Sequence, residues 1–124
     1  MITGVHAILY STNPAADRAF FRDVLRLTHV DAGEGWLIFG LPPAEIAVHP
    51  TDESGGQELY LQCEDIEIFI LEMTNQKISC SPVQNLNWGL LTRITLPGGG
   101  QLGVYQPRHI RPEPINIQSR AKDP

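Results

Sequence analysis

A single offset organises this chain. Gly4 and Gly56, His6 and Glu58, and Asn13 and Asp65 each stand 52 positions apart, so a strand start, a polar residue within that strand and a helix cap recur together. In the first half, GVHAILYST (Gly4 to Thr12) is rich in apolar and aromatic residues and runs into Asn13-Pro14. Asn13 suits an N-cap because its side-chain oxygen accepts from the free N–H groups of a first helical turn, and Pro14 suits the next position, where no N–H is needed. The spacing predicts a helix from Pro14 to about Leu27. Phe20, Val24 and Leu27 form its core-facing stripe, and Asp17, Arg18, Arg22 and Asp23 lie largely on the other side. Turn residues then separate three predicted strands, Thr28 to Asp31, Trp36 to Phe39 and Glu45 to His49.

Thr51 to Gly56 has no apolar anchor and makes a linker. Beyond it the order repeats: a strand from Glu58 to Cys63, a helix from Ile66 to about Asn75 capped by Asp65, and strands at Ile78 to Val83, Leu90 to Leu96 and Gln101 to Tyr105. Pro97 to Gly100 forms the last hairpin turn. Towards the end of each half the offset grows to 56, where Ile46-Ala47-Val48 matches Leu102-Gly103-Val104, as loops of unequal length require. The expected fold is α+β, with two tandem βαβββ modules in one domain: module one at 1–50, linker 51–56, module two at 57–109, and a Pro-rich, extended or mobile tail at 110–124.

Composition excludes several classes. A chain of 124 residues with 42% hydrophobic and 19% charged residues is ordinary for one soluble domain. A formal charge of −5 with scattered basic residues argues against nucleic-acid binding, which needs clustered Lys and Arg. No run of about 18 apolar residues and no signal-like N-terminus is present, so the expectation is a cytoplasmic protein without a membrane anchor. Cys63 and Cys80 lack zinc spacing; Cys63, on a strand, is expected to act as a small hydrophobe. The basic residues near the end, Arg108, Arg111, Arg120 and Lys122, fit a solvated terminus. Gly98 to Gly100 is a hairpin turn rather than a phosphate loop, because no helix or Lys follows it.

GVHAILYSTNPAADRAFFRDVLRL, ELYLQCEDIEIFILEM and LTRITLPGGGQLGVYQPRH resemble, in this order, the opening strand and helix, the second-module start and the closing hairpin of the vicinal-oxygen-chelate superfamily of glyoxalase I, bleomycin-resistance proteins and extradiol dioxygenases. The resemblance covers residues 4 to 109. It implies an incomplete eight-stranded barrel with a central cleft, and a divalent metal (Fe, Mn, Ni or Zn) held by His or Glu on the first and last strands of each module. Such a metal acts as a Lewis acid on a substrate with neighbouring oxygens.

Strand alternation places His6, Ile8 and Tyr10 on the cleft face, and likewise Glu58, Tyr60 and Gln62, with Leu59, Leu61 and Cys63 against the second helix. By the resemblance, His6 and Glu58 fall on the first-strand ligand positions, whereas Ala47 and Gly103 fall on the other two and offer no side-chain donor. His49, two residues beyond Ala47, points the same way and supplies a third candidate ligand; two His and one carboxylate form a known facial set. The alternative for His6 and Glu58 is a hydrogen-bonded pair lining a pocket. Tyr10, Tyr60, Tyr105 and Arg93 are candidate ligand-binding residues. Trp36 and Trp88 are expected to pack at the barrel rim, and His29 and His109 have no partner that the sequence suggests. No residue is assigned a catalytic role. Two functions follow: a metal-dependent lyase or dioxygenase acting on a small molecule, or a metal-free, drug-sequestering binding protein. Absent donors at Ala47 and Gly103 favour the second. A structural or regulatory dimer with a vestigial cleft is a third reading, and a homodimer is expected by the resemblance.

Overall fold

The computed structural model describes residues 6–114. The chain runs α1 (Pro14–Asp23), β1 (His29–Asp31), β2 (Leu37–Phe39), β3 (Tyr60–Gln62), α2 (Ile66–Asn75), β4 (Gln84–Leu86), β5 (Gly89–Thr95) and β6 (Gln101–Pro107). Both helices begin where the caps require. The Asn13 side chain accepts from Ala16 N, and the Asp65 side chain accepts from Glu67 N and Ile68 N. A further acceptor comes from the last strand: Gln106 Oε1 takes the Ile66 N–H at 3.0 Å, satisfying another of the donors that a helix start leaves free. The first helix ends at Asp23, short of Leu27. Arg26 turns to a φ of 58°, a left-handed conformation that stops helical propagation.

β1 and β2 form a two-stranded antiparallel sheet, and the second sheet has the order β3-β6-β5-β4, with β3 parallel to β6 and the other pairs antiparallel. There is no closed barrel among the described residues. Among the described residues the second half keeps the order β-α-β-β-β, whereas the first half contributes α1, β1 and β2. Residues 6–12 and Glu45 to His49 carry the strand pattern but form no strand. An extended segment settles into a sheet only where a neighbour takes its backbone hydrogen bonds, and neither segment has one within the described chain. Gly4, Val5 and the tail beyond 114 lie outside the described residues.

The edge predicted at Ile78 to Val83 is displaced to Gln84–Leu86. Cys80 stands opposite Ile94 and Gln84 opposite Leu91, so Ser81, Pro82 and Val83 face only Thr92 and Arg93, which is a bulge. Pro82 has no N–H to give to a ladder. Ser81 substitutes: its hydroxyl accepts from Arg93 N at 2.8 Å, and its carbonyl accepts from the buried Thr92 hydroxyl at 2.7 Å.

Pairing register sorts the four-stranded sheet into two faces. Leu61, Thr92, Ile94, Leu102 and Val104 share one face; Tyr60, Gln62, Leu91, Arg93, Gly103 and Tyr105 share the other. The first face meets both helices. Phe20 of α1 and Met73 of α2 close a buried cluster with Ile94, Leu96 and Leu102, against which Val24, Leu59, Leu61 and Phe69 pack. One core therefore spans both halves. Asp17, expected on the solvent side of α1, is buried at 7% exposure, because its Oδ1 accepts the Gly98 N–H at 2.7 Å. No helix of the described residues is long and apolar enough to cross a membrane.

Candidate functional site

The sheet face opposite the helices carries an aromatic cluster. Tyr60, Trp88 and Tyr105 stand mutually edge-on, with ring centroids 5.8, 5.9 and 5.0 Å apart, the arrangement that aromatic quadrupoles favour. Gly103 makes it possible. A Cβ there would lie 2.5 Å from Tyr60 Cδ1, so only a residue without a side chain lets the Tyr60 ring settle over β6. The Tyr60 hydroxyl donates to Glu58 Oε2 at 3.1 Å, and burial, followed by this carboxylate contact, raises the phenol above its ordinary pKa.

Beyond Tyr105 a polar chain begins. Gln62 Nε2 donates to the Tyr105 hydroxyl at 2.8 Å, and that hydroxyl lies 2.9 Å from His109 Nε2. The Ile110 carbonyl beside His109 Nδ1 can only accept, so His109 carries its proton on Nδ1 and its Nε2 accepts from the Tyr105 hydroxyl. Nδ1 then faces the Ile110 carbonyl at 3.0 Å and Glu45 Oε2 at 3.9 Å. Arg111 Nε donates to the other oxygen of Glu45 at 2.6 Å, and this bond holds the Glu45 carboxyl below its usual range. Gln62, His109 and Arg111 line an open cleft of about 400 Å³ together with Cys63, Glu64 and Gln106. Cys63 borders the cleft, and burial, with Asp65 nearby, pushes its thiol pKa up.

The residues predicted from the sequence divide into two groups. Tyr60, Tyr105 and Arg93 do share the cleft face, Arg93 lying opposite Gly103 in the register with its Nη1 3.4 Å from Gln84 Oε1. Tyr10 is 92% exposed and Trp36 66% exposed; Arg18 stacks over the Trp36 ring at 5.0 Å, so Trp36 packs at no rim. His6, His49 and Glu58 are all exposed, and no hydrogen bond or ion pair joins them among the described residues. No three His, Cys, Asp or Glu side chains among the described residues come together to hold a metal ion. With Tyr60 over Gly103 and its hydroxyl on Glu58, the donor set does not fit a metal.

Gln62, His109, Glu45 and Arg111 were not expected as a group. Alternation already turned Gln62 inward, but its partners come from the segment after β2 and from the chain end, which no local pattern links.

Neither a protein-family model nor a curated protein matches the sequence significantly. Solved structures do match. A lactoylglutathione lyase from Agrobacterium tumefaciens superposes with a TM-score of 0.63 at 18% identity, over 84% of this chain and 92% of that one. TnmS3, an antibiotic binding protein from Streptomyces sp. CB03234, gives 0.61 at 19% identity over 86% and 97%. The chain shares the fold of these two proteins. An integron cassette protein from V. cholerae is similar at a TM-score of 0.50 and 12% identity, over 86% of this chain and 98% of that one. At Gly103, where the resemblance seen in the sequence implies a ligand position, this chain has no side chain and carries the Tyr60 ring instead.

Proposed function

We propose that this protein binds a flat aromatic small molecule at the Tyr60–Trp88–Tyr105 face and the adjoining cleft, without a metal. The observation that carries this reading is the Tyr60 ring lying over Gly103, which fills with an aromatic surface the space a ligating side chain would need. Trp88, 38% exposed, offers the accessible edge of the cluster, and stacking on such rings contributes roughly 0.5–1.5 kcal/mol beyond area burial. Likeness in fold to an antibiotic binding protein agrees with this reading.

Trp36→Phe leaves Trp88 as the sole indole. Titration of that variant with flavone is expected to quench its fluorescence saturably, and Tyr60→Ala is expected to weaken the binding about tenfold, or roughly 1.4 kcal/mol. Flat titrations across a panel of planar aromatics would overturn the reading. So would stoichiometric manganese, iron, nickel or zinc in the purified protein that is lost in both His6→Ala and Glu58→Ala, the outcome that a metal-dependent lyase or dioxygenase requires.

The reading includes a homodimer. Ile8, Tyr10, Ile46 and Val48 are between 65% and 93% exposed on two segments that carry a strand pattern without a strand partner among the described residues, and a partner chain would cover these apolar side chains.

A further inference from the structure

The polar chain behind the aromatic face has a direction, and that direction specifies a ligand chemistry. We infer that the cleft takes ligands bearing a weakly acidic hydroxyl, a phenol or an enol, and that Tyr105 and His109 accept its proton as it binds. The inference rests on the small-molecule reading above and names the chemical class of that ligand.

Gln62 and His109 both line the cleft and both hold the Tyr105 hydroxyl, at 2.8 and 2.9 Å, so the phenol oxygen sits between two groups of the cleft wall. His109 is oriented from behind by the Ile110 carbonyl at 3.0 Å. An imidazolium formed there would face Glu45, 3.9 Å away, a carboxylate kept ionised by Arg111. A hydrogen-bonded donor–base pair with the base fixed by a third group is the geometry that proton transfer needs. The other titratable groups at the cleft are Arg111, which favours an oxyanion, Glu64, which opposes it, and the Cys63 thiol, which burial and Asp65 keep neutral.

In the step, the ligand hydroxyl replaces the Gln62 amide as donor to Tyr105. The ligand O–H bond breaks and its proton bonds to Tyr105 Oη, while the original phenolic proton moves to His109 Nε2. The electron pair stays on the ligand oxygen. The products are a ligand oxyanion beside the displaced Gln62 amide and an imidazolium beside Glu45, so charge separates without any further reactant.

The test uses 7-hydroxyflavone, whose absorption moves to longer wavelength on ionisation, with flavone as its match without the hydroxyl. At a pH where free 7-hydroxyflavone is mostly protonated, the probe bound to the wild-type chain is expected to be at least about tenfold richer in the anion, a shift of about one pKa unit. At saturation, Tyr105→Phe and His109→Gln are expected to hold it in the protonated form. If flavone binds saturably but bound 7-hydroxyflavone stays protonated in the wild type, the inference fails and the binding reading stands. Ionised probe retained in both variants also overturns the inference. Binding of neither compound overturns both.

Discussion

Asp17 shows how one residue can join two halves of a chain. Its carboxylate is buried in α1, yet it satisfies the Gly98 N–H across 81 positions of sequence, and the Thr12 hydroxyl donates to the Gly98 carbonyl at 3.2 Å beside it. A Cβ on Gly98 would run into Ser11 Oγ and Asp17 Oδ2 and displace both side chains from this contact. Asp17→Ala leaves a part-buried amide without an acceptor and is expected to cost about 1–3 kcal/mol, measured as a lowered midpoint in urea unfolding with unchanged slope. A variant as stable as the wild type would show that the contact contributes nothing. Helical periodicity assigns Asp17 to solvent because it scores charge as outward. The partner that brings it inside sits in a turn of the other module, where no periodic pattern could reveal it. Gly103 was legible to the opposite degree: its lack of a side chain was visible at once, but the Tyr60 ring that uses the space was not.

At the scale of elements, legibility followed local chemistry. Asp65 and the apolar run after it fix α2 at Ile66–Asn75, matching the expected span, because a cap acts within one turn. The strands nearest to clear turns, β1, β2, β5 and β6, also fall close to expectation. Glu45 to His49 does not, because strand pairing depends on a neighbour rather than on the segment. Its Glu45 is held instead by Arg111 of the chain end, a segment the sequence presented as an extended or mobile tail. The sign of its pH dependence follows from the direction of the Glu45 shift. A carboxyl whose folded pKa is lowered stabilises above its unfolded value and loses that contribution as pH falls through the lower folded one. Amide exchange around 45–49 and 108–111 is therefore expected to accelerate on acidification through the carboxylate range, and Arg111→Ala is expected to give the same acceleration at neutral pH. Exchange independent of pH in the wild type, after correction for intrinsic rates, would refute the tie.

At the scale of the whole molecule the two halves are built unequally. One core draws Phe20 from the first half and Met73 from the second, whereas the sheets of the described residues are unequal, two strands against four. The proposed second copy answers that inequality by covering Ile8, Tyr10, Ile46 and Val48. Light scattering is expected to give twice the chain mass, and Ile46→Glu with Val48→Glu is expected to halve it; a wild-type monomer at every concentration would rule the dimer out. The sheet order has a consequence in time as well. β3 is an edge strand whose hydrogen-bonded neighbour is β6, and Gln62 meets Tyr105 43 positions later. On a chain emerging from the ribosome, β3 waits unpaired until the last strand is made, while β5 and β6 join through a short turn with little loop entropy to overcome. The β5–β6 hairpin is thus the template on which the earlier strand assembles, and a nascent chain stopped before β6 would hold β3 without the neighbour it pairs with.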